Sequence, residues 1–303
     1  MTIRRFAGVL VAIVTAVGAA GCGGSDEARP DLAFVSTRDG DYAIFEMNAD
    51  GGAQRRLTPR EGEPSSAPAR LFFQVEPAWS PDASQIAFSS RRSGTLDLYV
   101  MNADGTGTRQ LTSGKANDSH PTWSADGTRL AFERDGDIYV VSADGSGARR
   151  ISDETAEERE PAWSPDGAWI AYVRRTPGTP VRQLWLMRPD GRERQAVTSQ
   201  DATITTPAWS PDSTRIVFAN KNEDDPYALF TIGLDGKGLR SVVLTTSDNF
   251  EPSWSPDGAK VAYFEDGAIF AVELGGGEVE KLTDNANNDS SPAWNPRPPS
   301  DDE

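Results

Sequence analysis

Six positions, each directly before a recurring proline, combine residue types that could bind a ligand. In chain order they are Glu76, His120, Glu160, Thr206, Glu251 and Ser291. Three of the six are carboxylates, and His120 is the only histidine in 303 residues. Carboxylates that gather at a narrow opening concentrate negative potential and attract a metal ion or a basic peptide. We therefore take these six positions as candidate ligand-binding residues.

Two interpretations of these positions stay open. In the first, the strand that carries them is innermost in the fold, so the six side chains form a ring at one mouth of a central channel and accept a cation or an Arg or Lys side chain. The loops leading to the ring add acidic residues, namely Asp118, Glu157, Glu158, Asp248 and Asp289. In the second interpretation, Glu is simply tolerated where the strand emerges into water, and no ligand is involved.

Patterns typical of catalysis are sparse. The nucleophile motif G-x-S-x-G does not occur, and a Ser-His-Asp arrangement has only His120 as its base. One histidine cannot supply the several imidazole ligands of a histidine-rich metal site. The Asp-Gly turns lack the D-x-D-x-D-G spacing of calcium loops. We therefore predict no catalytic residues and no cofactor, and leave open whether the channel binds a metal. The alternative is a carbohydrate- or peptide-processing enzyme, a lyase or hydrolase, with its site at the channel mouth.

A repeat must position these residues, because a tryptophan follows each of them three residues later. These tryptophans are six of the eight in the chain, and they recur every 40 to 46 residues: Trp79, Trp123, Trp163, Trp209, Trp254 and Trp294. That period is the length of one four-stranded propeller blade. One large aromatic side chain per repeat, at the same strand position, is what packing between adjacent blades requires. We expect the tryptophans to be structural.

The remaining strands of each repeat follow from turn signals and alternating apolar residues. Turns such as SPDG and NADG separate short runs such as Ile170-Ala-Tyr172 and Leu98-Tyr-Val-Met101. The block before Trp79 supplies strands two to four without a strand one, and SPAWN at Ser291 supplies a lone strand one. The sequence therefore predicts an all-β fold, a six-bladed β-propeller of four-stranded antiparallel blades over residues 31–296. Its ring closes by pairing of the C-terminal strand into the N-terminal blade, which leaves no open sheet edge.

The repeated phrases, such as PAWSPDG followed by IAY and LWLMRPDG, resemble the WD-like repeats of TolB-type β-propellers. Related repeats occur in the propeller domains of tricorn-type and prolyl-oligopeptidase-like peptidases. The resemblance implies a non-catalytic scaffold that binds a protein or cell-envelope ligand, in a family whose founding member works in the periplasm with a peptidoglycan-associated lipoprotein. We expect this chain to have neither the N-terminal α/β domain of TolB nor the hydrolase domain of the peptidases.

The N-terminus has the pattern of an export signal. Arg4 and Arg5 precede an apolar stretch, and AAGC ends at Cys22, the only cysteine. This resembles a bacterial lipobox, which implies that residues 1–21 are removed as a signal peptide and that a lipid is attached to Cys22. Residues 22–30 would then be a short tether to the outer face of a membrane. The other interpretation is a secreted protein with an unmodified cysteine.

Charge and two further segments complete the expectations. The formal net charge of -16 disfavours binding to nucleic acid, and we expect a monomer. The connection before Glu76 is longer than its counterparts and carries Leu71, Phe72 and Phe73. It is either a docking loop for a partner or a cover over the channel. Residues 297–303 form an acidic tail.

Overall fold

The computed structural model describes residues 30–58, 74–153, 155–175, 177–199, 203–221, 228–244 and 250–296. Within these ranges the regular structure consists of twenty-four strands and one short 3-10 helix, Asn285–Asn287. The strands are β1 (Leu32–Ser36), β2 (Ala43–Met47), β3 (Arg55–Arg56), β4 (Gln74–Trp79), β5 (Gln85–Ser90), β6 (Asp97–Asn102), β7 (Arg109–Gln110), β8 (Asp118–Trp123), β9 (Arg129–Arg134), β10 (Asp137–Ser142), β11 (Arg149–Arg150), β12 (Glu157–Trp163), β13 (Ile170–Arg175), β14 (Arg182–Met187), β15 (Gln195–Ala196), β16 (Thr203–Trp209), β17 (Arg215–Lys221), β18 (Ala228–Gly233), β19 (Arg240–Leu244), β20 (Ser253–Trp254), β21 (Lys260–Glu265), β22 (Ala268–Glu273), β23 (Val279–Lys281) and β24 (Ser290–Trp294).

The strands pair antiparallel in groups of four. Four sheets have four strands each, and one sheet of eight strands consists of β12–β15 and β16–β19, joined by a single parallel pair, Arg182 with Thr203. The last strand, β24, pairs with the first, β1, through Leu32 with Trp294 and Ala33 with Ala293. The strand arrangement of the first group is therefore β24-β1-β2-β3, as the sequence predicts.

The first strand of each group faces the centre of the molecule, and we call these the inner strands: β4, β8, β12, β16, β20 and β24. Each inner strand contacts the next, and β24 contacts β4. The candidate residues precede the tryptophans that end these strands, so the arrangement places equivalent residues of all six groups around one axis.

The core lies between neighbouring groups. Six hydrophobic clusters are buried there, and each contains one of the repeated tryptophans. Trp163, for example, packs against Ile138 and Val140 of the preceding group as well as Ile170 and Tyr172 of its own. The six indoles are all at least nine-tenths buried. The expectation that the tryptophans pack between groups is confirmed.

The SPDG phrases form the tight turns that the sequence predicts. In the related SADG turn, the Ser124 hydroxyl donates to Asp126 Oδ1 at 2.5 Å, and the Thr128 main-chain N–H donates to the same oxygen at 3.0 Å. These hydrogen bonds, led by that from Ser124, lower the pKa of Asp126 to about 2. The aspartate thus serves the turn, with both contacts inside its own loop.

Candidate functional site

The six candidate residues meet in one place. They line a cavity of about 510 Å³ at the centre of the inner strands, together with the prolines and tryptophans of the same phrases. This volume lies within the range of pockets that hold small ligands or single side chains. We call the six the ring residues.

A backbone irregularity turns each ring residue toward the cavity. All six have left-handed backbone conformations, with φ between 35° and 58°. In β4, for example, the register with β5 shifts between Val75 and Ala78, which places Glu76 in a β-bulge. A bulge leaves one residue out of the ladder and re-aims its side chain. The proline that follows has no N–H, so the bulge leaves no unpaired donor at that position.

The carboxylates link neighbouring inner strands. Glu76 Oε2 accepts the main-chain N–H of His120 at 2.6 Å, and Glu160 Oε2 accepts that of Thr206 at 2.5 Å. Glu251 Oε2 accepts the hydroxyl of Ser291 at 2.6 Å. Every second ring residue is therefore a carboxylate that holds the next ring residue. The alternation of carboxylates with other residues along the sequence therefore has a structural role. Neither interpretation of the sequence included this role.

Sequence reasoning missed one participant, Glu133 on β9. Its Oε2 accepts the main-chain N–H of Glu160 at 3.3 Å, and its Oε1 accepts from the Arg159 guanidinium at 3.0 Å. Glu133 thus accepts the Glu160 main-chain N–H, a contact that a protonated His120, with no acceptor nitrogen, does not make. A signal was present, because the residue after the repeated Ala-Phe or Ala-Tyr pair is uncharged in the other groups and glutamate here.

His120 lies among these acids. Its Nε2 is 3.3 Å from Glu76 Oε1, and its Nδ1 is 3.2 Å from Ser119 Oγ and 3.7 Å from Glu133 Oε2. Burial alone would lower the pKa of His120, but the negative charge of Glu76, Glu160, Glu133 and Glu251 outweighs it and raises the pKa to about 9. His120 is therefore a cation at neutral pH, and a protonated imidazole cannot act as a general base.

For two of the carboxyl groups, in contrast to His120, the surroundings disfavour the charged form. Burial raises the pKa of Glu251, although the hydrogen bond from Ser291 counteracts it, and the neighbouring charge of Glu76 adds to the rise. Burial also raises the pKa of Glu133, against the attraction of His120 and Arg159. The cavity thus concentrates negative charge at a place where water stabilises it poorly, which favours uptake of a cation.

Several predicted segments lie outside the described residues. These are the signal segment 1–21, Cys22, the docking loop with Leu71, Phe72 and Phe73, and the tail 297–303. Among the described residues, no helix is long and apolar enough to span a membrane. The same part of the chain contains no group of three or more His, Cys, Asp or Glu side chains arranged to hold a metal ion.

Antiparallel four-stranded groups whose inner strands surround a central cavity are the architecture of a β-propeller, and the predicted fold class is confirmed. The model of the TolB beta propeller domain family matches residues 66–181, 131–268 and 160–300, which together cover most of the chain. The chain therefore belongs to the TolB beta propeller domain family.

Similar proteins agree on the fold. The Tol-Pal system protein TolB of Anaeromyxobacter dehalogenans (strain 2CP-C) is 43% identical over 68 residues, which cover 22% of this chain and 15% of that protein. The crystal structure of TolB from Acinetobacter baumannii superposes with a TM-score of 0.69 at 19% identity, over 88% of this chain and 67% of that one. An oligogalacturonate lyase in complex with manganese superposes at 0.53 and 17% identity, over 84% and 74%. At these identities the two structures show that the fold is shared, and the likeness does not extend to activity as evidence.

Proposed function

We propose that this chain is a non-catalytic binding scaffold whose acidic central cavity accepts a basic side chain, Lys or Arg, from a protein or cell-envelope ligand. Relatives that bear the name of the Tol-Pal system support a scaffold role, although the matched segments are short. In this proposal the propeller spans residues 31–296, has six blades and closes through β24 and β1.

The observation that carries the proposal is the imbalance of charge at the ring. Four carboxylates, Glu76, Glu133, Glu160 and Glu251, lie in or beside the cavity, and their positive neighbours are His120 and Arg159. Arg159 also contacts Glu157, so its charge is shared. Two oxygens, Oε1 of Glu160 and Oε1 of Glu251, accept no hydrogen bond from the described residues. They are available to a cationic ligand.

The test measures binding of short peptides to the purified mature protein by calorimetry and by fluorescence of the cavity tryptophans. The probes are acetyl-Gly-Lys-Gly-amide, its Arg counterpart and its Glu counterpart. We expect the two basic peptides to bind and the acidic one not to bind, with affinity falling as salt rises. The triple variant Glu76→Gln, Glu160→Gln, Glu251→Gln keeps the side-chain oxygens that hold the next strand, and it should lose at least tenfold in affinity.

A matched control removes one negative charge outside the cavity. The Glu193 side chain is 64% exposed and pairs with Arg188 in a surface turn, so Glu193→Gln should bind the basic peptides as the wild type does. Equal affinity of the three peptides for the wild type, or unchanged affinity in the triple variant, would contradict the proposal.

We also propose that the scaffold is extracytoplasmic and lipid-anchored. The support is the export pattern that ends at Cys22, after which residues 23–30 reach roughly 26 to 29 Å when extended. Cells that express the wild type should yield a protein that partitions into detergent and incorporates a labelled fatty acid. Cys22→Ser should abolish both, and incorporation that persists in this variant would refute attachment at Cys22.

A further inference from the structure

Two kinds of hydrogen bond join neighbouring inner strands. In the first, which we call the ring bond, a side-chain oxygen accepts from the next ring residue, as described above. In the second, which we call the indole bond, a tryptophan Nε1 donates to the main-chain oxygen of an alanine on the preceding inner strand. The indole bonds join Trp79 to Ala293 at 3.1 Å, Trp123 to Ala78 at 3.1 Å and Trp209 to Ala162 at 2.8 Å.

Whether an indole bond forms depends on one residue of the preceding inner strand, the one directly before the tryptophan of that strand. Where that residue is Thr122 or Ser253, its hydroxyl accepts the main-chain N–H of the next tryptophan instead. These bonds run from Trp163 to Thr122 at 3.1 Å and from Trp294 to Ser253 at 3.0 Å. An alanine therefore predicts an indole bond, and a hydroxyl residue predicts the main-chain alternative.

The junction between β16 and β20 departs from this rule. Ala208 precedes Trp209 on β16, so Trp254 should donate its indole N–H to Ala208. Instead, Trp254 Nε1 is buried without a partner among the described residues. The Thr206 hydroxyl, on the other side of the same junction, is also buried without one. A buried polar group without a hydrogen-bond partner destabilises the structure, so both groups favour a rearrangement that would satisfy them.

Each of the other five junctions has at least one ring bond, indole bond or main-chain alternative within the described ranges. The ring bond is missing at this junction because the Thr206 side chain is too short. The hydroxyl of Thr206 is attached to Cβ, whereas the carboxylate oxygens that make the ring bonds of Glu76 and Glu160 lie two carbons farther out. Thr206 therefore cannot hold the main-chain N–H of Glu251 as Glu160 holds that of Thr206.

The strand beyond this junction is also short. β20 has two residues, and it pairs with β21 only through Ser253 with Ala262 and Trp254 with Val261. The other inner strands have five to seven residues. Besides these two pairs, the Phe264 N–H donates to the Phe250 carbonyl at 3.0 Å, so the described part of this segment has fewer cross-strand contacts than the other inner strands, which lowers the free energy needed to shift it.

We propose that the β16–β20 junction is the adjustable seam of the cavity wall, and that a cation held by Glu160 and Glu251 closes it. These two residues flank Thr206, so one cation in contact with both spans the seam. Closure would bring the Trp254 N–H to the Ala208 carbonyl and the Glu251 N–H to the Thr206 hydroxyl. The seam follows from the hydrogen bonds alone, whereas its closure by a cation rests on the proposed function.

Hydrogen exchange measured by mass spectrometry on the mature protein tests the seam without any ligand. The amides of Glu251, Ser253 and Trp254 should exchange at least tenfold faster than the equivalent amides of Glu160, Ala162 and Trp163 on β12. Exchange rates in β20 and β12 that agree within threefold would overturn the proposal that the β16–β20 junction is adjustable.

Two variants of Thr206 test its cause. Thr206→Gln places an uncharged oxygen at the reach of a glutamate, so it should supply the ring bond to Glu251 and slow exchange in β20 about tenfold. Thr206→Val removes a hydroxyl that has no partner and should leave this exchange unchanged. A folded Thr206→Gln protein with wild-type exchange in β20 would overturn the explanation. If it does not fold, the wild-type comparison of β20 with β12 still decides.

The lysine peptide tests closure. Saturating acetyl-Gly-Lys-Gly-amide should slow exchange in β20 of the wild type at least fivefold, and should have no such effect in Glu251→Gln. Binding without any change in β20 would overturn closure and leave the proposed function standing. An absence of binding, with fast exchange in β20, would overturn the proposed function and leave the seam standing.

Discussion

His120 should make the stability of the protein depend on pH in the neutral to alkaline range. Its pKa is raised from 6.5 to about 9 in the folded protein, so folding favours the protonated form. The stabilisation is complete below pH 6.5 and is lost as the pH rises through 9. Each unit of pKa shift corresponds to about 1.4 kcal/mol, which gives an upper limit of about 3 kcal/mol. Since the side chain is 31% exposed, solvent screening should reduce this to about 1–3 kcal/mol.

The assay compares urea unfolding of the wild type with His120→Gln between pH 6 and pH 9.5. At pH 6 the variant should be less stable by about 1–3 kcal/mol, and the difference should vanish near pH 9.5, where the imidazole is neutral. Because the chain has one histidine, its titration can be followed by NMR without assignment, provided that no histidine tag is present. An imidazole that titrates near pH 6.5, or a stability difference independent of pH, would show that the neighbouring carboxylates do not stabilise a protonated His120.

Three further predictions concern the scaffold, each measured by urea unfolding. Trp209→Phe should cost more than Trp254→Phe by about 1 kcal/mol, because of these two indoles only that of Trp209 has a hydrogen-bond partner among the described residues; equal losses would contradict the assignment of the indole bonds. Gly105→Ala should cost more than about 2 kcal/mol, since φ is +86° and a Cβ would lie 2.2 Å from the Leu57 carbonyl oxygen. Gly94→Ala, at φ +103° with no atom within 4 Å, should cost only about 1 kcal/mol, and the reverse order would refute the steric argument. Removal of residues 290–303 deletes β24 and exposes the edge of β1, so the midpoint should fall markedly; an unchanged midpoint would show that this pairing contributes nothing.

The repeat explains why much of the fold could be predicted. A tryptophan such as Trp163, a proline two residues before it and an SPDG turn after it each act locally, through packing volume, a fixed φ and a tight reversal. Because the proline and tryptophan recur six times, the period of one four-stranded unit could be measured directly. The pairing of β24 with β1 followed from counting incomplete blocks at the two ends. The phrase by itself did not predict that β20 has only two residues.

The candidate site, like the fold, could be predicted from the sequence only in part. The alternation of Glu76, Glu160 and Glu251 with neutral or weakly basic residues was visible in the sequence, and so was the possibility of a shared channel mouth. That each carboxylate holds the next inner strand was not visible, since the acceptor and donor are 40 to 46 residues apart. Glu133 lies on a second strand and reaches the ring only when β9 packs beside β12.

The repeat, its turns, the six ring residues and the excess of negative charge can all be read from the order of the amino acids, because those properties depend on residue type and local spacing. The folded arrangement was needed to show which oxygens are used by the scaffold, which remain available, and which junction lacks its bonds. Those properties depend on distances of a few ångströms between strands, where the two-carbon difference between Thr206 and Glu160 determines whether a hydrogen bond forms.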